Sequence, residues 1–369
     1  MMRIGIDGRW FFRGNPSGRV VVRNLVRQLA EHHPEHEYVV FLSRRDRCRP
    51  FPWPLPNVHP VFLPDAIGLL SVCFLLPWKA AKLGLDACVS FNFPPLAGKY
   101  KKIIWINDVI FLEHPEFFTW KEIFYFWPIR ILARLADTIC TISRSEMERM
   151  ARLGLVPGAR IAHVPIGSDP RYRPAAGHEP ARLRSVRERC DLPERFLLYI
   201  GRMNIRKNIQ NLLEAMLLIR DREIKLFLAG KYEGKMFDLP IQIAKLGLND
   251  RVVLLDEVAD EDLPALYALA TVFCFVSFAE GFGLPPLEAM ASGVPVVVSN
   301  RDSLPEVCGE AGTYVEPDRP GEIAAAIDSL LDDPALRERK RELGLKRAGM
   351  FSWRESAQKL NQLILETVQ

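Results

Sequence analysis

Short apolar runs alternate with helical patterns along almost the whole chain of 369 residues. Such alternation predicts βαβ units and mostly parallel sheets, because parallel strands are joined by crossover helices. The predicted strands of the first half are Arg3–Asp7, Tyr38–Ser43, Ala87–Ser90, Lys102–Ile106, Thr138–Ile142 and Ile161–Val164. Those of the second half are Phe196–Ile200, Lys225–Ala229, Val252–Leu255, Val272–Val276 and Pro295–Ser299. The pattern predicts an α/β protein with two doubly wound domains that face each other across a cleft.

A stretch rich in proline, glycine and arginine, from Asp169 to Arg182, interrupts this rhythm. Two domains also agree with the chain length, since one hydrophobic core rarely organises so many residues. We predict a first domain over residues 1–172, a linker over 173–194, a second domain over 195–350 and a terminal helix within 351–369.

Composition and cysteine usage are those of a cytoplasmic enzyme. Hydrophobic residues make up 49% and charged residues 25% of the chain, which is ordinary for a globular protein. The seven cysteines are scattered and never form a C-x-x-C pair, which argues against structural zinc and disulfides. The longest apolar stretch, Ala66 to Trp78, is too short to span a bilayer, and no signal peptide is expected.

Positive charge is concentrated in the first half. Residues 1–172 contain 23 Lys/Arg and 15 Asp/Glu, a net charge of +8, whereas the remainder has a net charge of −4. This half also carries an aromatic stretch from Phe117 to Arg134, with two interpretations. The first is a surface that meets anionic lipid headgroups or a lipid-linked acceptor. The second is a core helix kinked at Pro128, which is favoured because aromatic stripes usually pack inward. Nucleic-acid binding is not expected, because no recognition motif accompanies the modest basic excess.

A candidate phosphate site follows the predicted strand Phe196–Ile200. The segment Gly201–Asn208 lies between that strand and a helix predicted over Ile209–Ile219. Two cations of this segment would neutralise a diphosphate beside the helix N-terminus, whose dipole and free N–H groups favour anions, and Asn208 is predicted as the N-cap. Arg206 is a further phosphate-binding candidate, with a solvated surface cation as the alternative.

A second candidate site follows the predicted strand Val272–Val276. Gly281 and Gly283 permit positive φ and close approach to a ligand, and two prolines open the next helix. The turn should point free N–H groups outward. Glu280 at the strand end and Glu288, expected in the first helical turn, would bring two carboxylates to the edge where open α/β sheets bind ligands.

The stretch Ser277–Val296 resembles the signature of glycosyltransferase family 4, in which two glutamates eight positions apart frame a Gly-aromatic-Gly-Leu-Pro turn. This resemblance implies the GT-B fold and retaining transfer from a nucleotide-diphosphate sugar. It implies that Arg202 and Lys207 bind the diphosphate, that Glu280 orients the donor-sugar hydroxyls and that Glu288 accepts from the ribose hydroxyls. The other donor-binding residues that we predict on this basis are Gly201, Arg206, Gly281, Phe282, Gly283 and Leu284.

Weaker resemblance extends over nearly the whole chain. The start resembles the family's first strand and glycine-rich loop, which places Gly18 at the phosphates, although only Gly18-Arg19 stands where relatives often have two glycines before the arginine. Asn107, followed by Asp108, replaces a histidine that lies near the donor sugar in relatives; both are candidate catalytic residues. Phe351-Ser352-Trp353 opens a helix that crosses back onto the first domain in this fold.

Other motifs are discounted. Asp260-Glu261-Asp262 spells a metal-binding D-x-D, but it directly precedes a helix predicted over Leu263–Ala270, where acids are favoured by capping and the dipole. No metal and no cofactor are therefore expected. The absence of G-x-G-x-x-G, Walker A and G-x-S-x-G motifs weakens NAD, ATP and serine-hydrolase interpretations.

We predict a retaining, metal-independent hexosyltransferase, mannose-type favoured, that uses a nucleotide sugar and a glycan or lipid-linked acceptor in cell-surface polysaccharide synthesis. GDP-mannose and UDP- or dTDP-sugars are the favoured donors. The alternatives are a catalytically silent sugar-nucleotide-binding or assembly protein of the same fold and a phosphorylase-like enzyme, which would need a pyridoxal-phosphate lysine and a much longer chain.

Overall fold

The computed structural model describes residues 1–14, 16–53, 55–156, 160–232, 234–255 and 258–369. They form two compact units. Unit 1 comprises Met1–Leu112, Trp120–Gly167 and Ser352–Gln369, and unit 2 comprises Glu113–Thr119 and Ser168–Phe351. These boundaries differ from the predicted ones at the linker, because residues 173–194 lie inside unit 2.

Unit 1 is built on a seven-stranded sheet in the order β3-β2-β1-β4-β5-β6-β7. All of its strand pairs are parallel. The strands are β1 Arg3–Asp7, β2 Glu37–Ser43, β3 Val58–Leu63, β4 Ala87–Phe91, β5 Lys101–Trp105, β6 Thr138–Thr141 and β7 Ile161–His163. The central strands are buried on both faces, as parallel sheets covered by helices are.

The helices of unit 1 are mostly short. They are α1 Pro16–His32, α2 Gly68–Leu70, α3 Leu76–Ala80, α4 Ile110–Glu113, α5 Trp120–Phe126, α6 Ile129–Leu132 and α7 Arg144–Arg152, with a π-helical turn at Ser71–Leu75 between α2 and α3. The hydroxyl of Ser43 and that of Ser143 accept backbone hydrogen bonds at the starts of helical segments, as N-caps do.

Unit 2 contains a six-stranded parallel sheet in the order β10-β9-β8-β11-β12-β13. The strands are β8 Phe196–Ile200, β9 Lys225–Ala229, β10 Val252–Leu255, β11 Val272–Phe275, β12 Val296–Ser299 and β13 Gly312–Val315. The helices are α8 Pro180–Arg189, α9 Ile209–Leu218, α10 Leu239–Lys245, α11 Leu263–Leu269, α12 Leu284–Ala291, α13 Leu304–Cys308, α14 Pro320–Asp332 and α15 Pro334–Ala348. Helix α8 occupies the predicted linker and packs against α11.

The C-terminal helix α16, Trp353–Val368, packs against α1 and therefore belongs to unit 1. Its start is fixed by Ser352, whose hydroxyl accepts from the Glu355 amide. Gly167 approaches this start so closely that an added Cβ would lie 2.2 Å from the Trp353 nitrogen. The chain thus leaves unit 1 at Gly167 and re-enters it beside the same residue.

The aromatic stretch 117–134 is not the core helix that the sequence favoured. It is divided into a 3-10 turn at Pro115–Phe117, α5 and α6, with the break at Pro128. None of the α5 residues is buried, and Trp120 is 72% exposed. No helix within the described residues has both the length and the apolar character needed to cross a membrane.

Candidate active site

The strand order of unit 2 reverses between β8 and β11, which are adjacent in the sheet although β9 and β10 follow β8 in sequence. The chain leaves β8 in one direction and reaches β11 from the other, so a crevice forms at their carboxyl ends. Gly201–Asn208 follows β8, and Ser277–Gly283 follows β11. The two segments predicted to carry the chemistry therefore meet at the switch point of the sheet.

Glu280 is the centre of a buried ion-pair cluster at this point. Its carboxylate pairs with the Lys207 ammonium and with the Arg206 guanidinium at 3.2 Å. Arg206 also donates to the Ala279 carbonyl at 2.5 Å, and Lys207 lies 4.7 Å from the centre of the Phe275 ring. Arg206 is thus buried, and its interpretation as a solvated surface cation is wrong: the charge of Glu280 draws it inside.

Each charge in the cluster shifts the pKa of its neighbour. Burial acts to raise the pKa of Glu280, but attraction to Lys207 and Arg206 outweighs it and lowers the pKa to about 2. Burial, followed by repulsion from Arg206 and Arg202, lowers the pKa of Lys207 to about 7 despite its attraction to Glu280. Glu280 is therefore ionised at neutral pH, and an added anion would favour the charged form of Lys207.

Asn208 holds the cationic segment against β11. Its backbone adopts the left-handed conformation, with φ of 58°. Its side-chain amide donates to the Val276 carbonyl at 2.9 Å and to the Pro317 carbonyl at 2.7 Å. The predicted N-cap hydrogen bond to α9 is not made, because the side-chain amide donates to these two carbonyls instead. The Phe278 amide adds a further hydrogen bond between the two segments by donating to the Arg206 carbonyl at 2.9 Å.

Asp302 and Ser303 support Glu280 from the loop after β12, and sequence reasoning missed both. The Glu280 amide donates to the Asp302 carboxylate at 2.9 Å. The Ser303 hydroxyl contacts the Glu280 carbonyl at 3.0 Å and the Phe282 carbonyl at 2.8 Å. Their position just beyond the carboxyl end of a predicted strand could have indicated them as site residues. The Glu280 amide is therefore bonded within the protein.

Gly283 provides the sharp turn into α12. Its φ of 113° is open to glycine, and an added Cβ would lie 2.7 Å from Leu304 Cδ2. Gly281 does not have positive φ. Phe282 is buried and packs edge-on against Phe351 at 5.8 Å between centroids. Leu284 is the first residue of α12, so the helix N-terminus directly follows the cluster.

Glu288 lies in a second, less charged environment. Because α12 begins at Leu284, it occupies the second helical turn and not the first. Its carboxylate accepts from the Tyr267 hydroxyl at 2.9 Å and from the Tyr172 hydroxyl. Burial raises the pKa of Glu288 to about 7, although both tyrosine hydrogen bonds lower it. The two glutamates thus have pKa values displaced in opposite directions, which is typical of carboxylates with different functions.

Three predicted residues lie in unit 1. Asn107 and Asp108 follow β5 and are partly buried, and the Asn107 side-chain oxygen accepts from the Trp105 indole at 2.9 Å. Gly18 is buried within the first turn of α1 and is not part of the preceding glycine-rich loop, because the helix already begins at Pro16. Their predicted functions in donor binding and catalysis stay predictions.

The D-x-D motif is engaged by arginines. Asp262 pairs with Arg182 and Arg189 of α8, each at 2.5 Å. Its side chain makes no capping hydrogen bond to α11, so these ion pairs, and not the cap, explain the acid at this position. Across the described ranges, no group of three or more His, Cys, Asp or Glu side chains is arranged to hold a metal ion.

The fold defines the class first. Sucrose-phosphate synthase from Thermosynechococcus elongatus matches the chain with a TM-score of 0.77 over 99% of both chains, at 21% sequence identity. At this identity the likeness shows the fold, which is GT-B, as the resemblance in sequence implied. Residues 185–347 also match the family model described as Glycosyl transferases group 1. Over this part the chain is similar to group 1 glycosyltransferases.

Two of the relatives that are similar to the chain in sequence are mannosyltransferases. The chain is 41% identical over 226 residues to the O-antigen chain mannosyltransferase B of Escherichia coli, covering 60% of this chain and 58% of that protein. It is 33% identical over 234 residues to the MMP alpha-(1->4)-mannosyltransferase of Mycolicibacterium hassiacum, covering 61% of this chain and 53% of that protein. The matches therefore span little more than half of either relative.

Proposed function

We propose that this protein is a retaining glycosyltransferase that moves a hexose, with mannose favoured, from a nucleotide-diphosphate sugar to a glycan or lipid-linked acceptor in cell-surface polysaccharide synthesis. The observation that carries the proposal is the Arg206–Lys207–Glu280 cluster at the switch point of the unit 2 sheet. The domain match and the names of the two mannosyltransferase relatives support the transfer of a mannose-type sugar.

The cluster suits a diphosphate leaving group. Arg202, Arg206 and Lys207 bring three cations to the carboxyl end of β8, beside the carboxylate of Glu280. Negative charge grows on the diphosphate as the anomeric bond breaks. Cations that are already fixed in a buried site stabilise such charge without reorganising. Arg202 and Lys207 are proposed to contact the phosphates.

Glu280 and Glu288 are proposed to bind different parts of the donor. An ionised carboxylate such as Glu280 accepts hydrogen bonds from sugar hydroxyls, and its fixed position beside the cations would orient the sugar. Glu288, held by two tyrosines, would accept from the ribose hydroxyls. We also propose that no divalent metal is needed and that the protein works in the cytoplasm, at the inner face of the cell membrane.

The test is donor turnover by the purified protein. GDP-mannose, UDP-glucose and a dTDP-sugar are supplied separately, and the release of each nucleoside diphosphate is measured with and without candidate glycan acceptors. We expect slow hydrolysis of one donor and faster release with an acceptor, with the anomeric configuration retained by NMR. Tight binding of a nucleotide sugar without release under any condition would instead establish the silent binding protein.

A further inference from the structure

Two helical segments of unit 1 carry most of its exposed large apolar side chains. The first segment is residues 67–82, and the second is residues 120–135; together we call them the aromatic face. All exposed tryptophans and phenylalanines among the described residues belong to it. Its exposed apolar residues are Ile67, Leu70, Phe74, Trp78, Trp120, Phe124, Trp127, Ile131 and Leu135.

The spacing shows that this exposure is built into the helices. Within each segment the exposed apolar residues recur every three or four positions, which places them on one side of a helix. The opposite side supplies the packing: Tyr125 is T-shaped against Phe93, with centroids 5.6 Å apart. The segments therefore have a buried side that anchors them and an apolar side that faces solvent.

The two segments contact each other at Gly68 and Tyr125. A Cβ added at Gly68 would lie 2.3 Å from the Tyr125 hydroxyl, so glycine permits the close approach. Gly68, Ser71 and Tyr125 also line one cavity of about 250 Å³ in unit 1. The two segments thus lie next to each other beside this cavity, and we infer that their exposed apolar sides form one surface.

Basic residues accompany the aromatic rings. Residues 67–82 contain two lysines and no acid, and residues 120–135 contain three cations against one acid, so each segment has a net charge of +2. Lys79 lies over the Trp78 ring at 5.1 Å and Lys121 over the Trp120 ring at 5.7 Å. Tryptophan beside lysine is typical of surfaces at the boundary between hydrocarbon and headgroups.

We propose that the aromatic face docks on an anionic lipid bilayer, with the tryptophan and phenylalanine rings in the headgroup–acyl boundary and the lysines on anionic headgroups. Apolar burial and attraction to anionic lipid act together in such binding. A second copy of the chain is a poorer occupant, because a two-fold interface would bring the same net positive segments together. This proposal rests on the proposed function only where it concerns a lipid-linked acceptor. Docking itself requires no sugar transfer.

The first test compares two isoleucines of equal exposure. Ile131 in the aromatic face is 54% exposed, and Ile241 on α10 of unit 2 is 52% exposed. Sedimentation with vesicles of phosphatidylcholine and phosphatidylglycerol is measured for the full chain and for each Ser variant. We expect Ile131→Ser to weaken binding at least about threefold, from lost apolar burial. Ile241→Ser should bind as the unchanged protein does, and equal binding by all three would overturn the proposal.

The second test separates charge from apolar contact. Lys79→Glu should weaken binding to the anionic vesicles and leave any binding to pure phosphatidylcholine unchanged, whereas Lys245→Glu on α10 should change neither. Sedimentation equilibrium of the same variants reports self-association. The opposite outcome is that the unchanged protein forms a dimer and does not bind vesicles, with the aromatic-face variants monomeric. In that case the face is an interface between copies and the bilayer proposal is wrong.

Transfer to a water-soluble glycan acceptor distinguishes this proposal from the proposed function. Docking variants should keep that transfer while losing vesicle binding. Vesicle binding without transfer from any donor would reject the glycosyltransferase function and leave the docking surface standing. If the unchanged protein transfers sugar but does not bind vesicles, the glycosyltransferase function stands and the docking surface is rejected.

Discussion

The Lys207 ammonium pairs with the Glu280 carboxylate although 73 positions separate the two residues in sequence. Both side chains are more than nine-tenths buried, so the pair is largely removed from water. A buried ion pair contributes little net stability, but removing one partner leaves an uncompensated charge. The pair therefore fixes the position of both groups at the switch point, at a cost that binding of an anionic donor would offset.

The first prediction concerns stability. Lys207→Met should lower the free energy of unfolding by about 3 kcal/mol, because Glu280 then loses the nearer of the two cations described beside it. Adding Glu280→Gln to that variant should restore part of the loss. Urea unfolding of the two single variants and the double variant gives the coupling energy. Single effects that add to within about 0.5 kcal/mol would show that the two residues do not interact.

The second prediction concerns the diphosphate. Lys207→Ala should weaken nucleoside-diphosphate binding by ~2–3 kcal/mol, the scale of a charge-assisted hydrogen bond. Arg202→Ala should act in the same direction. Lys245→Ala, on the exposed side of α10, serves as the control for loss of a positive charge elsewhere in unit 2. Calorimetry that finds equal affinity for Lys207→Ala and Lys245→Ala would reject the phosphate assignment.

Sequence patterns predicted every strand of the two sheets except one edge strand of each. All eleven predicted strands are present, each within one residue of its predicted ends. The two missed strands, β3 and β13, lie at the ends of their sheets. Strand β3 contains Pro60, which lacks the amide hydrogen that a central strand needs but is tolerated at an edge. An edge strand has fewer packing constraints and so a weaker apolar pattern.

The candidate site was predictable where motif and strand end coincide. Arg202, Lys207, Glu280 and Glu288 all occur in segments that follow adjacent central strands. The burial of Arg206 was not predictable, because it depends on Glu280 in a distant segment. Tyr172 and Tyr267 were missed for the same reason: tertiary packing brings them to Glu288, and neither lies in a motif. The core-helix interpretation of residues 117–134 was wrong because helical spacing alone does not say which side of a helix is buried.

The third prediction separates the two glutamates. Glu280→Gln should lower kcat while leaving the affinity for the free nucleoside diphosphate nearly intact, since its contact with the sugar would be expressed mainly in the transition state. Glu288→Gln should weaken the nucleoside diphosphate itself by ~1–2 kcal/mol. Steady-state kinetics and calorimetry are measured on both variants. If Glu280→Gln impaired nucleotide affinity as much as Glu288→Gln and left kcat alone, the orientation proposed for the donor would be wrong.

The fourth prediction is that turnover survives EDTA. The cations proposed to neutralise the diphosphate are side chains, and Asp262 of the D-x-D motif is engaged by Arg182 and Arg189. Initial rates are compared before and after chelation and after addition of Mn²⁺ or Mg²⁺. Activity that is lost on chelation and restored by either ion would contradict metal-independent transfer and make Asp260 and Asp262 candidate ligands.

The fifth prediction uses the raised pKa of Glu288, which is about 7. The carboxyl group is protonated below that pH and ionised above it. A ribose diol donates two hydrogen bonds, and only the ionised carboxylate accepts with both oxygens, so binding favours the deprotonated form.

Affinity for the nucleoside diphosphate should therefore rise with pH up to about 7 and then level off in the unchanged protein. Glu288→Gln should remove that part of the rise, while any contribution from ionisation of the diphosphate remains in both proteins. The ratio of the two affinities between pH 5.5 and 8.5, measured at about constant ionic strength, isolates the side chain. A ratio that does not change with pH would mean that the ionisation of Glu288 is not linked to nucleotide binding, and its proposed contact with the ribose would then be abandoned.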